Sequence, residues 1–281
     1  MSEGTNSENP EAEYWNNEGG QRWVRYIDRL EVLAGTFNDC LFDGVNAQPG
    51  ESVLDIGCGG GPTSAAYARA VGESGRVVGV DISEVILDIA RQRYSNTGNL
   101  SFVTADAGTH DFSSSAFDIV ASRFGVMFFP DPIAAFKNIR RALNSKGRLC
   151  VVCWRGIEEN PWMAEAANAA FTVLPRPEKA PPGTPGPFSL SDPDRFKPIL
   201  DEAQFKHVEF SKFDARLSLG NLEQSLEIMC NLGPAAAAMR DAEPEQRNEA
   251  LQVLRELLAT FETPSGVLMD AAVWRVDAKV E

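Results

Sequence analysis

Val53-Leu54-Asp55-Ile56-Gly57-Cys58-Gly59-Gly60-Gly61-Pro62 decides the fold. A short apolar run ends in glycines, and a proline suited to a first helical position follows at once. Glycines let a backbone turn sharply and approach a ligand without Cβ clashes. A helix starting there points its free N–H groups at the same ligand. The stretch therefore predicts a strand over Ser52–Ile56, a ligand-binding turn, and a helix over Pro62–Val71 that Gly72 stops.

Outward from this turn, strand and helix patterns alternate. Arg76 to Val80 is a valine-rich strand closed by Asp81, and Ser83 caps a helix carrying Val85, Ile86, Ile89 and Ala90. Leu100–Thr104 and Phe117–Ala121 are further strands. Asp131-Pro132 opens a helix through Leu143 that Gly147 closes, and Arg148–Trp154 is a fifth strand. Such alternation predicts a parallel sheet covered on both faces, with right-handed crossovers leaving chiefly doubly wound topologies. After Trp154, helices are expected over Asn160–Leu174, Asp192–Ala203, Asn221–Cys230 and Glu245–Phe261, with strands over Lys206–Phe213 and Gly266–Val276. A proline-dense loop runs from Pro175 to Pro187. Before the turn, one helix is expected, about Gln21 to Leu33, and residues 1 to about 12 are expected to be disordered because they have little to bury.

Bulk composition narrows the function classes. The chain has 281 residues, 43% hydrophobic and 23% charged, and a formal net charge of −14. A polyanion is repelled on average by such a chain, so nucleic acid is not the expected partner. No apolar run is long enough to span a bilayer, and the polar, acidic start lacks the features of a signal peptide, which predicts a cytoplasmic protein. Five scattered cysteines make no disulfide framework, and Cys150 and Cys153 lie in a strand, where residues three apart point to opposite faces. With two histidines far apart, His110 and His207, no metal site is expected.

Asp81 falls about twenty residues after the turn, where a carboxylate commonly accepts ribose hydroxyls. Two cofactor classes use this arrangement. A dinucleotide prefers a glycine at the last position of G-x-G-x-x-G, and Pro62 stands there. Asp55, two residues before the first glycine, repels a pyrophosphate but meets an ammonium, directly or through water. S-adenosylmethionine has that ammonium and no phosphate. An NAD(P)-dependent oxidoreductase stays open as an alternative, although no Tyr-x-x-x-Lys pair is visible. A non-catalytic protein that binds S-adenosylmethionine is a third reading.

The sequence resembles the class I S-adenosylmethionine-dependent methyltransferases, and within them the small-molecule group of ubiquinone/menaquinone-biosynthesis methyltransferases. Beside the opening stretch, the resemblance rests on Gly79-Val80-Asp81-Ile82-Ser83, Asp106-Ala107, Phe117-Asp118-Ile119-Val120 and Arg141-Ala142-Leu143-Asn144-Ser145-Lys146-Gly147-Arg148-Leu149, where Lys146 replaces a usual glycine. It implies a Rossmann-like, doubly wound α/β fold with a seven-stranded sheet, its last strand antiparallel. It implies that Asp55, Gly57, Cys58 and Gly59 surround the methionine moiety, that Asp81 holds the ribose, and that Ile82 packs on the adenine. Asp106 would accept from the adenine amino group and Ala107 would contribute backbone. Ser122 and Arg123 would face the methionine end or the methyl acceptor.

The expected organisation is a disordered start and lid helices over 1–50, a donor-binding core over 51–155, and the rest of the sheet over 156–281 with helical lid insertions at about 156–200 and 214–262. Trp15, Trp23, Phe124, Met127, Phe128, Phe129, Trp154, Trp162 and Phe171 lie in the expected lid segments and predict a small, apolar or aromatic acceptor. The acceptor atom, O, N or C, and the oligomeric state are not legible. His110 is a candidate base; no catalytic residue is assigned.

Overall fold

The structure is a computed structural model and describes residues 10–281. In chain order the elements are α1 (Pro10–Asn16), α2 (Glu18–Arg25), α3 (Ile27–Gly35), α4 (Asn38–Val45), β1 (Ser52–Ile56), α5 (Pro62–Val71), β2 (Arg76–Asp81), α6 (Glu84–Arg93), β3 (Leu100–Thr104) and β4 (Phe117–Arg123). There follow α7 (Pro132–Ala142), β5 (Leu143–Trp154), α8 (Pro161–Ala170), α9 (Pro193–Glu202), β6 (Lys206–Ser218), α10 (Leu222–Leu232), α11 (Ala236–Asp241), α12 (Pro244–Ala259), β7 (Glu262–Thr263) and β8 (Gly266–Lys279). Two compact units are present. The first holds the described residues up to Cys153 with Pro185–Ser211 and Arg275–Glu281; the second holds Trp154–Thr184 and Lys212–Trp274.

The sheet runs β3-β2-β1-β4-β5-β8-β6, with β7 paired to β8 off this path. It is mostly parallel, with antiparallel strands at the end, so the doubly wound α/β expectation holds. The seven strands of the path match the expected number. The eighth, β7, has only two residues and makes an antiparallel hairpin with the start of β8. β1 is central, paired in parallel with β2 and β4, and Val53 and Leu54 are fully buried. A strand covered on both faces is apolar without alternation, which is why its sequence reads as a continuous run. Strand order reverses between β1 and β4, and ligands in such sheets sit beyond the carboxyl ends of the strands at that switch point.

Helix starts follow side-chain chemistry. Ser83 Oγ accepts from Ile86 N–H, Asp131 Oδ1 accepts from Ala134 N–H at 2.9 Å, and Asn221 with Gln224 forms a reciprocal capping box. In the second unit, Asn160 is fully buried. Its Nδ2 donates to Arg155, Gly156 and Ala272 carbonyls, and its Oδ1 accepts from Ala272 N–H. Arg155 pairs there with Glu159 and Asp214 and lies over the Trp274 ring.

The structure departs from sequence expectation at several elements. Residues 10–12, expected to be disordered, begin α1; the rest of that expectation lies outside the described residues. Two short helices, α2 and α3, replace the single one expected at Gln21–Leu33, and α1 and α4 flank them. α7 ends at Ala142 and β5 begins at Leu143, because Leu143 pairs with Phe117 and the register slips between Phe117 and Ile119. That bulge absorbs the stretch read as a helix end and turn. β6 and β8 run on to Ser218 and Lys279, and α11 carries no sequence signal.

Candidate cofactor site at the glycine-rich turn

Asp55 is the fourth residue of β1 and is 1% exposed. Thr63 and Ser64, in the first turn of α5, both donate to its Oδ2, at 2.7 and 2.6 Å. Its Oδ1 has no partner. Burial raises the carboxyl to about 6. The two hydroxyls and Arg123 pull it down, and Asp81 pushes it up. An oxygen left unpaired at such depth is costly unless a ligand or water meets it.

The turn itself is held from below. Gly57 and Cys58 N–H both donate to the Val80 carbonyl, at 2.8 and 3.1 Å. At Gly57, with φ of 65°, an added methyl would lie 2.5 Å from Gly125 Cα, so two backbones cross in contact. At Gly59, with φ of 56°, an added methyl would meet nothing within 4 Å. One glycine is therefore needed for a close backbone approach, whereas the other opens onto space at the strands' carboxyl edge.

Asp81 ends β2 beside that space. Its Oδ2 accepts from Gly59 N–H at 2.9 Å and its Oδ1 from Ser83 N–H at 3.0 Å. Burial raises its carboxyl, against these backbone donors. Each oxygen keeps a second acceptor direction. Asp106 follows β3, and its Oδ1 accepts from Gly108 N–H at 2.8 Å, tightening the turn that presents Ala107. Asp81, Ile82, Asp106, Gly57 and Gly59 all remain partly accessible along one edge.

Two expected contacts are turned inward. The Cys58 thiol is buried against Leu87, Ala90 and Phe102, so only its backbone belongs to the turn. Ser122 is fully buried. Its Oγ donates to the Ile56 carbonyl at 2.8 Å and accepts from Gly125 N–H at 3.2 Å. It fastens the end of β4 to the end of β1 and presents no surface to a ligand. Arg123 donates to Asn38 Oδ1. Phe124 then takes φ of 67°, rare for a bulky residue, with its ring edge-on to Phe37. That strained exit brings Gly125 against Gly57. His110 is exposed beside Phe112, and His207 is exposed at the start of β6.

Sequence reading missed the N-terminal contributions. Asn16 Nδ2 donates to the Ile82 carbonyl at 2.9 Å, Asn16 Oδ1 accepts from Glu84 N–H at 2.9 Å, and Ser83 Oγ donates to the Trp15 carbonyl at 2.6 Å. α1 is thus tied to the corner that carries Asp81. Glu31 on α3 lies so close to the turn that a methyl on Gly60 would sit 2.2 Å from its carboxylate, and it pairs with Arg93 of α6 at 2.8 Å. Trp15 meets Trp23 and Phe128 edge to face, both at 5.6 Å between ring centroids. The aromatic content of these segments was legible; the Asn16 and Glu31 contacts join residues more than 60 apart and leave no local pattern.

Residues 53–147 match the family model described as a methyltransferase domain. The chain is 30% identical over 191 residues to the ubiquinone/menaquinone biosynthesis C-methyltransferase UbiE of Shewanella sp. strain ANA-3, covering 59% of this chain and 76% of that one. The chain belongs to the class I S-adenosylmethionine-dependent methyltransferases. It is also 36% identical over 109 residues to a demethylmenaquinone methyltransferase of Staphylococcus epidermidis, covering 39% and 44% of the two chains. An uncharacterized 37.1 kDa protein in a Streptomyces fradiae transposon is 34% identical over 128 residues, 45% of this chain and 37% of that one. The chain thus spans under half the length of these last two relatives. A putative methyltransferase of Bacillus halodurans shares the fold with a TM-score of 0.57 at 20% identity, over 86% of this chain and 98% of that one. Membership in this family takes the place of the dinucleotide reading, and the donor used by the family suits the residues present. Asp55 offers an unpaired buried oxygen, Asp81 two further acceptor directions, and Gly59 the open side of the turn.

Proposed function

We propose that the chain binds S-adenosylmethionine at the turn Gly57–Gly61 and transfers its methyl group to a small, planar, apolar acceptor. The observation that carries this reading is the pairing of the open face at Gly59 with the Asp81 carboxylate, which fixes that face while keeping acceptor capacity. When bound, the donor supplies an electrophilic methyl on a sulfonium, open to in-line displacement.

The protein's own part is binding, orientation and exclusion of water. Asp81 accepts the ribose hydroxyls and Ile82 packs on the adenine beside it. Asp106 and Ala107 bound the adenine edge. Asp55, ionised, meets the ammonium of the methionine moiety directly or through water. Gly57, Cys58 and Gly59 contribute backbone only. Residues 51–155 act as the donor-binding core, with the helices before residue 50 as its cover. The aromatic group Trp15, Trp23 and Phe128 supplies faces that favour both a sulfonium and a flat apolar ring. Two of the relatives carry names built on quinones, which are planar rings, and an acceptor of that class agrees with these aromatic faces.

The test is transfer of labelled methyl from the donor to a panel of quinol-type rings, phenols and amines, followed by mass spectrometry. Label in ring-bearing acceptors supports the reading. Donor binding with no labelled small molecule, from the panel or a metabolite extract, would leave a binding protein in its place.

A further inference from the structure

Beneath the glycine-rich turn lies a polar group that the binding scheme above does not use. In-register parallel partners point to the same face of a sheet. Asp55 pairs with Ala121, and Ala121 pairs with Cys150, so these three make one row across β1, β4 and β5. All are at most 1% exposed. Arg123 is two residues beyond Ala121 and so shares its face.

Two helices cover this row. Thr63, Ser64 and Tyr67 lie on one face of α5, and the first two already bind Asp55. Tyr67 is 2% exposed, and its hydroxyl has no partner. On α4, Asn38 and Phe42 are one turn apart: Asn38 accepts from Arg123, and Phe42 packs edge-on to Tyr67 at 5.4 Å. One face of α4 therefore touches both Arg123 and Tyr67. Burial raises the Tyr67 hydroxyl, with Asp55 and Cys150 adding to the rise and Arg123 opposing it. Between Asp55 and Cys150 the row carries only the small Ala121. Two unpaired buried polar atoms, Asp55 Oδ1 and Tyr67 Oη, thus share one region with a guanidinium.

We propose that Tyr67 and Arg123 are positioning residues for Asp55, their hydroxyl and guanidinium meeting its Oδ1 over Ala121 through one buried water. This rests on the donor-binding reading above. A carboxylate oxygen has two acceptor directions. The water held by Tyr67 and Arg123 takes one and fixes the plane of the carboxylate; the other stays aimed at the turn and the donor's ammonium. A phenol that merely filled space would have no use for a buried, unpaired hydroxyl.

The variant that separates these roles is Tyr67→Phe, which keeps the ring and removes the oxygen. Binding is read with S-adenosylhomocysteine by calorimetry between pH 5 and 8. The groups facing Asp55 are Thr63, Ser64 and Tyr67 of α5, Arg123 of β4, Asp81 of β2 and Cys58 of the turn; Glu31 of α3 also acts on Arg123. The expected result is binding weaker by about three- to tenfold at pH 7.5, with the pH at which binding is half lost moved upward. In the unliganded variant, the drop in Tm from pH 5 to pH 7 should exceed that of the parent, since ionised Asp55 has lost a donor. Arg123→Met should shift the same midpoint upward and Arg123→Lys should restore it. If Tyr67→Phe leaves the affinity, the midpoint and the Tm difference unchanged, the proposal is overturned while donor binding stands. If the parent protein binds no S-adenosylhomocysteine, the reading beneath it falls as well.

Discussion

Asp81 Oδ2 accepts a hydrogen bond from the backbone N–H of Gly59 at 2.9 Å, across 22 residues of sequence. The acid at the end of one strand thereby holds the turn at the end of its neighbour. Its second oxygen does the same for Ser83, at the head of α6. A single carboxylate fixes both walls of the candidate donor site and still has acceptor directions to spare.

Asp81→Ala removes the acceptor from two backbone donors and from the ribose. Loss of hydrogen bonds to a charged group costs about 1.5–3 kcal/mol. Affinity for S-adenosylhomocysteine should fall roughly tenfold to a hundredfold, measured by calorimetry, with a Tm lower by a few degrees. Unchanged affinity would remove Asp81 from the site.

Gly57 and Gly59 should fail in different ways. Gly57→Ala drives a methyl into Gly125, and overpacking of this kind costs about 1–3 kcal/mol. Its thermal unfolding should shift down clearly. Gly59→Ala meets no atom and pays only for its left-handed φ, on the order of 1 kcal/mol. That variant should stay folded and lose donor binding. Scans of both proteins with and without S-adenosylhomocysteine distinguish the two. A Gly59→Ala protein that binds normally would show that the open side of the turn is not where the donor lies.

The pH dependence has opposite signs for folding and for binding. Burial raises Asp55 to about 6 from an ordinary value near 3.8. The folded chain therefore holds this proton more tightly than the unfolded chain does. The stability tied to that proton is present below the ordinary value and is lost as pH rises toward about 6. On the proposed ammonium contact, donor binding needs the ionised form. Affinity should rise through the same window, being roughly tenfold weaker one pH unit below the transition. Asp55→Asn should bind weakly throughout and lose that slope. A parent protein whose affinity is flat from pH 5 to 8 would contradict the ammonium contact.

Asn16→Ala should loosen the N-terminal helices. Asn16 bridges Ile82 and Glu84, and its loss removes both of those bonds and leaves the one from Ser83 Oγ to the Trp15 carbonyl. Hydrogen exchange in α1 and α2 should speed up while β1 and β2 stay protected. Equal protection of α1 in both proteins would show that Asn16 is not the tie.

Much of the fold was legible because its signals are local. The run Val53–Ile56, the glycines, Pro62 and the caps Ser83 and Asp131 each act on their own neighbours, and the strands β1 to β4 start where their sequences place them. The start of β5 was misread because a bulge opposite Phe117 turned a helix end into strand, and bulges belong to a pairing rather than to a sequence. At the candidate site, Asp55, Asp81 and Asp106 fall at or just after strand ends, as their sequence places them. Ser122 was read as facing a ligand, yet its hydroxyl is sealed between Ile56 and Gly125. Spacing fixes where a residue falls along a strand but not whether its hydroxyl finds a partner inside. Tyr67 and Asn38 escaped notice for the same reason: their relevance lies in contacts across α4, α5 and β4.

The central claim is that the turn after β1 holds S-adenosylmethionine. The most direct test is a calorimetric titration of S-adenosylhomocysteine into the unmodified protein at pH 7.5, with NADH as the control ligand. The account predicts a single site of micromolar affinity, an order ordinary for enzyme ligands, and no competing heat from NADH. Absence of S-adenosylhomocysteine binding, or equal binding of NADH, would contradict it.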